Sequence, residues 1–169
     1  IYTLPYTQTF DGTTLPEDWM NVDIKGDGRL WKFMAKTKDN TSITGSTANA
    51  AILDDDSYGS GGSENADLIS PMFDLSTYST VNLKFKHYYK HWSGVTPSLL
   101  YSINGGEWVE IKKWTASTTN PESFEQQIDA VAGKNNVRFK WNYNDGAKWG
   151  YYWLVDDIEI TGETAAGEY

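Results

Sequence analysis

A chain of 169 residues without cysteine is long enough for one domain with a sizeable core, and it holds no disulfide framework, thiolate metal site or thiol nucleophile. A formal net charge of −9 argues against nucleic-acid phosphates and anionic membranes as partners and suits calcium or uncharged ligands; no apolar run reaches membrane length. Aromatic residues are the outlier at 15%, with 8 Trp and 11 Tyr, side chains favoured where one face packs and another meets a ligand.

The first residue is Ile rather than Met, which reads as a segment of a longer chain with any targeting signal upstream. Strand-like runs come first at 6–10, 19–22, 30–34, 50–53 and 67–69, separated by Gly, Asn, Asp and Ser clusters. Two segments between them are irregular: 36–47, polar and rich in Thr, Ser and Asn, and the acidic loop DDDSYGSGGSEN at 54–65. In TVNLKFKHYY, residues 80–89, Val81, Leu83, Phe85 and His87 alternate with polar neighbours, the pattern of a half-buried antiparallel strand. PSLLYSINGGEWVEIKKW reads as a hairpin, with Asn104, Gly105 and Gly106 tolerating positive φ at its turn. A strand at 124–128 follows. In NVRFKWNYN, Val137, Phe139, Trp141 and Tyr143 share one face. A last strand covers 151–161. Many short strands without helical periodicity predict an all-β fold, an antiparallel β-sandwich of jelly-roll type, with a closed barrel as the alternative. One domain is expected over 1–162, with 163–169 a tail or the start of a linker.

The final strand poses a problem. Under strict alternation Tyr152, Leu154, Asp156, Ile158 and Ile160 form a core face, and Tyr151, Trp153, Val155, Asp157 and Glu159 the opposite one. A carboxylate inside an apolar face costs several kcal/mol unless it is paired. Asp156 therefore calls for a cation, a set of donors, or a bulge that turns it outward. Calcium, which takes oxygen ligands, suits an acidic chain. Other candidate ligands are Asp11 after the first strand, and Asp23 and Asp27 in VDIKGDG. That last segment is like the start of an EF-hand loop, but Lys25 stands where an oxygen ligand is wanted. Read alone, such Asp-Gly pairs are ordinary turns.

Most aromatics belong to the core: Trp141, Tyr143, Phe85 and Phe139 lie on apolar strand faces, and Trp19 and Trp31 join them. Trp92, in KHWSGVTP, and Trp149, in DGAKWGYYW, fall on loops, where apolar rings serve ligand contact better than stability. With Tyr151, Trp153 and Tyr89 they form the candidate surface for stacking on the C–H face of a sugar. His91, Asn144 and Asp145 supply polar groups for its hydroxyls; packing of these rings on their own loops is the alternative. His87 reads as a satisfied core histidine. The chain has no GxSxG, HExxH or P-loop motif, and no enzyme activity is expected.

The order YTQTFDG, LPEDW, VDIKGDGRLW, DLISPMFDLS, LKFKHYY, SINGGEW and YYWLVDDIEITG resembles the cleaved-adhesin, or choice-of-anchor J, group of MAM-like β-sandwich domains. These occur in secreted multidomain proteins of Bacteroidota, including the adhesin regions of gingipains. The terminal VDDIEI also resembles the last strand of jelly-roll carbohydrate-binding modules. The resemblance implies a non-catalytic, secreted or cell-surface module, monomeric and part of a larger chain, with structural Ca²⁺ held by Asp11 and Asp156, Asp157 being the near alternative. Asp23 and Asp27 match the family's Asp-Gly-rich loop. The expected partner is a polysaccharide or glycan; a host or matrix protein, or a role as spacer, are the other readings.

Overall fold

The computed structural model describes residues 1–61 and 63–165. Eleven strands fall close to the expected runs: β1 Tyr6–Gln8, β2 Met20–Asp23, β3 Lys32–Met34, β4 Ala50–Asp54, β5 Asn65–Ile69, β6 Thr80–Lys90, β7 Ser98–Ile103, β8 Val109–Lys113, β9 Glu122–Gln127, β10 Val137–Asn144 and β11 Tyr152–Glu163. The helical content is one turn, α1 Asp55–Tyr58, and a 3-10 turn at Asp129–Val131. β11 runs to Glu163, one residue past the expected domain end, and 166–169 of the expected tail lie outside the described residues.

The strands form two antiparallel sheets facing each other. One has the order β3-β4-β11-β6-β9, with β1 also paired to β11; the other is β2-β5-β10-β7-β8. This is a jelly-roll sandwich. Period-2 alternation builds its core. Val81, Leu83, Phe85, His87 and Tyr89 of β6 point inward and meet Val137, Phe139, Trp141 and Tyr143 of β10. Phe85 and Trp141 touch across the layer edge to face, with centroids 5.6 Å apart. Between β7 and β8 the amide of Gly106 donates to the carbonyl of Ile103 over Asn104 and Gly105, both with positive φ, as the sequence predicts for a tight hairpin turn.

β11 departs from strict alternation. Trp153 and Val155, the odd residues, enter the central core, and so do Ile158 and Ile160, the even ones. The pairing with β6 shifts register between Asp156 and Glu159, and Asp157 has φ 51°. One extra residue at this bulge exchanges the faces. The expected core face is thus corrected: Tyr152 and Leu154 point to the outside of the sandwich. There they are buried in a second apolar cluster with Ile43, Ala50 and Ile52. The irregular segment 36–47 carries Ile43 and covers that outer face. It is anchored by Tyr152, whose hydroxyl donates to Asp39 Oδ2 at 3.2 Å. Asn120 binds it from the other side, accepting from the Thr44 amide and donating to the Ser42 carbonyl.

Candidate binding site

Three aromatic side chains meet at one end of the sandwich. Trp92, from the β6–β7 loop, and Trp149, from the β10–β11 loop, are each 49% exposed. With Tyr151, Asp56 and Gly150 they line a cleft of about 240 Å³. The Trp92 and Tyr151 rings meet edge to face at 6.0 Å. The Lys90 ammonium lies 4.2 Å from the centre of the Tyr151 ring, a cation–π contact that places a donor beside the aromatic surface. The Trp149 indole N–H donates to the carbonyl of Asp56 at 3.3 Å, which fixes the ring's orientation at the rim.

The two loops are held against each other by backbone. The Thr96 amide donates to the Asn144 carbonyl at 2.8 Å. A Cβ at Gly146 would fall 2.5 Å from the carbonyl oxygen of Gly94, so only glycine permits this approach. Trp92 and Trp149 are therefore carried on loops that pack as one piece.

Beneath the cleft lie three buried carboxylates. Asp55, Glu64 and Asp145 each place an oxygen within 4.8 Å of the other two; they are 0%, 1% and 0% exposed. Asp55 is the second residue of the acidic loop at 54–65 and starts α1. Its Oδ2 accepts from the Gly150 amide at 2.9 Å and from the Tyr143 hydroxyl at 3.1 Å. Glu64 Oε1 accepts from Arg29 Nη1 at 2.8 Å. Asp145 accepts from the Glu64 amide through Oδ2 and from the Ala147 amide through Oδ1. Asp55 Oδ1 and Glu64 Oε2 are buried with no hydrogen-bond partner among the described residues. Burial, and then the Asp145 charge, push the Asp55 carboxyl far above the usual carboxylate range; burial raises Asp145 too.

The sequence-predicted metal ligands lie elsewhere. Asp156 is buried, 3% exposed, and its Oδ1 accepts from the Asp157 amide at 2.8 Å inside the bulge. Its carboxyl is pushed up to about 7 by burial first; the hydrogen bond from the Asp157 amide opposes, the charges of Asp157 and Asp11 add to the rise, and Lys86 opposes it. Asp11 is an electrostatic neighbour of Asp156; its Oδ2 accepts from Thr9 Oγ1 at 2.8 Å. Asp157 is exposed enough to pair loosely with Lys86 at 3.8 Å. Asp23 spends both oxygens on the amides of Gly26 and Gly28, the ordinary Asp-turn arrangement. Asp27 faces Arg29 at 3.9 Å.

Of the candidate ligand contacts, Trp92, Trp149 and Tyr151 come together. Trp153 and Tyr89 do not: both are 0% exposed in the central core, so neither offers a ring face to a ligand, which corrects that expectation. The Tyr89 hydroxyl instead pairs with His91 Nδ1 at 2.7 Å. Asp145 is committed to the buried cluster. Asn144 stays partly exposed, but its Oδ1 accepts from the Gly146 amide. Sequence reasoning missed Asp55, Asp56, Glu64 and Arg29; the only signal was the acidic, glycine-rich character of the loop that holds three of them.

The family model of the Cleaved Adhesin Domain matches residues 3–104. No curated protein matches the chain. Among solved structures, the K1 cleaved adhesin domain of Lys-gingipain from Porphyromonas gingivalis W83 is similar, with a TM-score of 0.70 and 18% identity over 95% of this chain and 99% of that one. The K3 cleaved adhesin domain of the same gingipain gives 0.67 and 15%, over 92% of this chain and 97% of that one. TmCBM61, solved in complex with β-1,4-galactotriose, gives 0.63 and 15%, over 92% of this chain and 94% of that one. At these identities the structures speak for the shared sandwich, while the family model spans more than half of the sequence: the chain belongs to the cleaved adhesin domain family.

Proposed function

We propose that this chain is a non-catalytic binding module of a secreted or surface multidomain protein, and that it recognises a carbohydrate through Trp92, Trp149 and Tyr151. The observation that carries the reading is the cleft itself. Trp19, Trp31, Trp114, Trp141 and Trp153 are buried, whereas Trp92 and Trp149 stand half-exposed around one opening. Exposing apolar rings gains the fold nothing, and paired rings with a lysine and a carboxylate at the rim suit the alternating C–H and hydroxyl faces of a sugar. Structural calcium belongs to the same reading, with Asp11 and Asp156 as its ligands at the bulge.

Affinity electrophoresis against plant, algal and host polysaccharides, β-1,4-galactan included, tests this with calcium present. Retardation by one polymer, lost in Trp149→Ala, is the expected result. No retardation across the panel overturns it. The membership of an adhesin family then favours the second reading, a protein-binding domain, and a pull-down against host and matrix proteins is the decisive step.

A further inference from the structure

We propose that the outer face of the β2-β5-β10-β7-β8 sheet is a second carbohydrate site, built on Trp108, Lys140 and Arg138, and that it takes a glycan of neutral sugars carrying single uronate residues. The proposal does not rest on the cleft, which is made by loops at one end of the sandwich.

Alternation along β10 sends Arg138, Lys140 and Asn142 outward, while Val137, Phe139 and Trp141 are buried in the core. Trp108 stands just before β8. The Lys140 ammonium lies 4.5 Å from the centre of its ring, and β7 runs between β10 and β8. The indole therefore reaches across β7 and lies over the sheet. From the other side Lys140 donates to Asp67 Oδ2 at 3.0 Å, and the Asn142 side-chain amide donates to Asp67 Oδ1 at 2.7 Å. The lysine side chain is only 11% exposed. Its charge is thus taken up by one carboxylate and one ring face. This holds Trp108 flat and half-buried, one ring face on the ammonium and the other outward. A flat aromatic face turned to solvent is a stacking platform for the C–H face of a sugar.

Arg138 supplies the charge that selects the ligand. The chain has two arginines, Arg29 and Arg138. Arg29 pairs with Glu64; Arg138 pairs with no carboxylate among the described residues. Its Nε is buried and donates to none of them, whereas neither Nη is shut in this way. A partly desolvated guanidinium without a counter-ion is costly. A carboxylate arriving from outside satisfies it, and the planar fork matches two oxygens at once. Arg138 on β10 and Trp108 at the start of β8 are two strand spacings apart, ~10 Å, a span of two linked sugar units. One unit then stacks on Trp108 while the carboxylate of its neighbour meets Arg138. The net charge of −9 works against a polyanion, because each further carboxylate would face an acidic chain with no arginine of its own. An isolated uronate among neutral sugars is the charge this face accommodates.

Affinity electrophoresis of the whole chain tests this with two polymers, a glucuronoxylan and a glucuronate-bearing arabinogalactan, each also in its carboxyl-reduced, neutral form. At least one acidic polymer is expected to retard wild type, with affinity at least ~10-fold lower for the reduced form, the scale of one charge-assisted hydrogen bond. Arg138→Gln and Trp108→Ala are each expected to weaken binding of the acidic polymer at least ~10-fold. Equal retardation by native and reduced polymer overturns the proposal, and so does the absence of retardation by both acidic polymers. That comparison uses wild type alone and decides even if a variant does not fold. Binding lost in Trp149→Ala but kept in Trp108→Ala belongs to the cleft and overturns the proposal too. A Glu-rich peptide that binds wild type, and is weakened to the same degree by Arg138→Gln, makes the partner a protein and overturns the sugar assignment.

Discussion

Trp153 donates its indole N–H to Nδ1 of His87 at 3.0 Å, in a core that neither residue leaves. An indole can only donate, so Nδ1 must be the lone-pair nitrogen. The proton of the neutral ring is then on Nε2, which faces Glu122 Oε2 at 2.7 Å. One hydrogen bond thus sets the tautomer, and protonating the ring would set one N–H against another.

This has a consequence for acid stability. Burial holds the His87 ring down to about 4 against its ordinary 6.5, with Glu122 opposing the shift. Between pH 6.5 and 4 the unfolded chain takes up a proton there that the folded chain refuses. Stability contributed by neutral His87 is complete above this window and is lost as pH falls through it. Urea unfolding of wild type and His87→Gln is expected to show a gap that shrinks by about 2 kcal/mol between pH 7 and 4.5. A gap independent of pH would contradict the assignment.

The opposite slope is expected at Asp156. Its carboxyl is raised from 3.8 to about 7, by burial first, so in chelator the folded state holds a proton that the unfolded state gives up, and stability falls as pH rises through that window. Asp156→Asn is expected to gain ~2–3 kcal/mol on wild type between pH 4 and 8 in chelator. Calcium, if Asp156 is a ligand, is expected to reverse that advantage. Denaturation curves at both pH values, with and without calcium, provide the check; a variant that never gains on wild type shows that the bulge amide already satisfies the ionised carboxylate.

Gly150 is the joint between core and cleft. A Cβ there would lie 2.7 Å from the Tyr143 hydroxyl and 2.8 Å from both Asp55 Oδ2 and Val95 Cγ2. Gly150→Ala is expected to cost ~2–3 kcal/mol by overpacking. Urea denaturation of the variant beside wild type measures the loss.

The tryptophans separate by depth. Trp149→Ala and Trp92→Ala are expected to stay within ~1 kcal/mol of wild-type stability, while weakening polysaccharide binding at least ~10-fold, the scale of losing one ring that stacks on an aromatic face, as measured for nucleobases. Trp153→Ala, at the bottom of the core, is expected to cost ~3–5 kcal/mol. Denaturation midpoints alongside affinity electrophoresis distinguish the two classes.

How far the sequence revealed this arrangement depends on which interactions are local. Alternation located the strands and the inward faces of β6 and β10, because burial repeats every second residue. The same alternation followed two residues further along β6 places Tyr89 in the core, not on the candidate surface with Trp92. Asp156 in an apolar face left a cation, donors or an outward-turning bulge as alternatives; the bulge is there, with Asp156 still buried, and the exchange of faces depends on what covers Tyr152 and Leu154. That cover is a polar segment whose one buried apolar anchor, Ile43, leaves no periodic trace. The acidic cluster is the least legible element. Asp55, Glu64 and Asp145 come from two loops far apart in the chain, and only the closing of β4, β5, β10 and β11 brings them together.

The position of β11 also bears on how the domain forms. It is the last strand in the chain but lies inside its sheet, with β6 along one edge and β4 and then β1 along the other. Until residues 152–163 are available, the partners on either side have an unfilled slot between them and no common ladder. Residues 1–151 therefore cannot close as they leave a ribosome. Assembly waits for one late, long-range insertion, a high-contact-order step that makes folding slow. In the finished protein the same strand, buried on both faces from Tyr152 to Val155, is where backbone amides should exchange with solvent last.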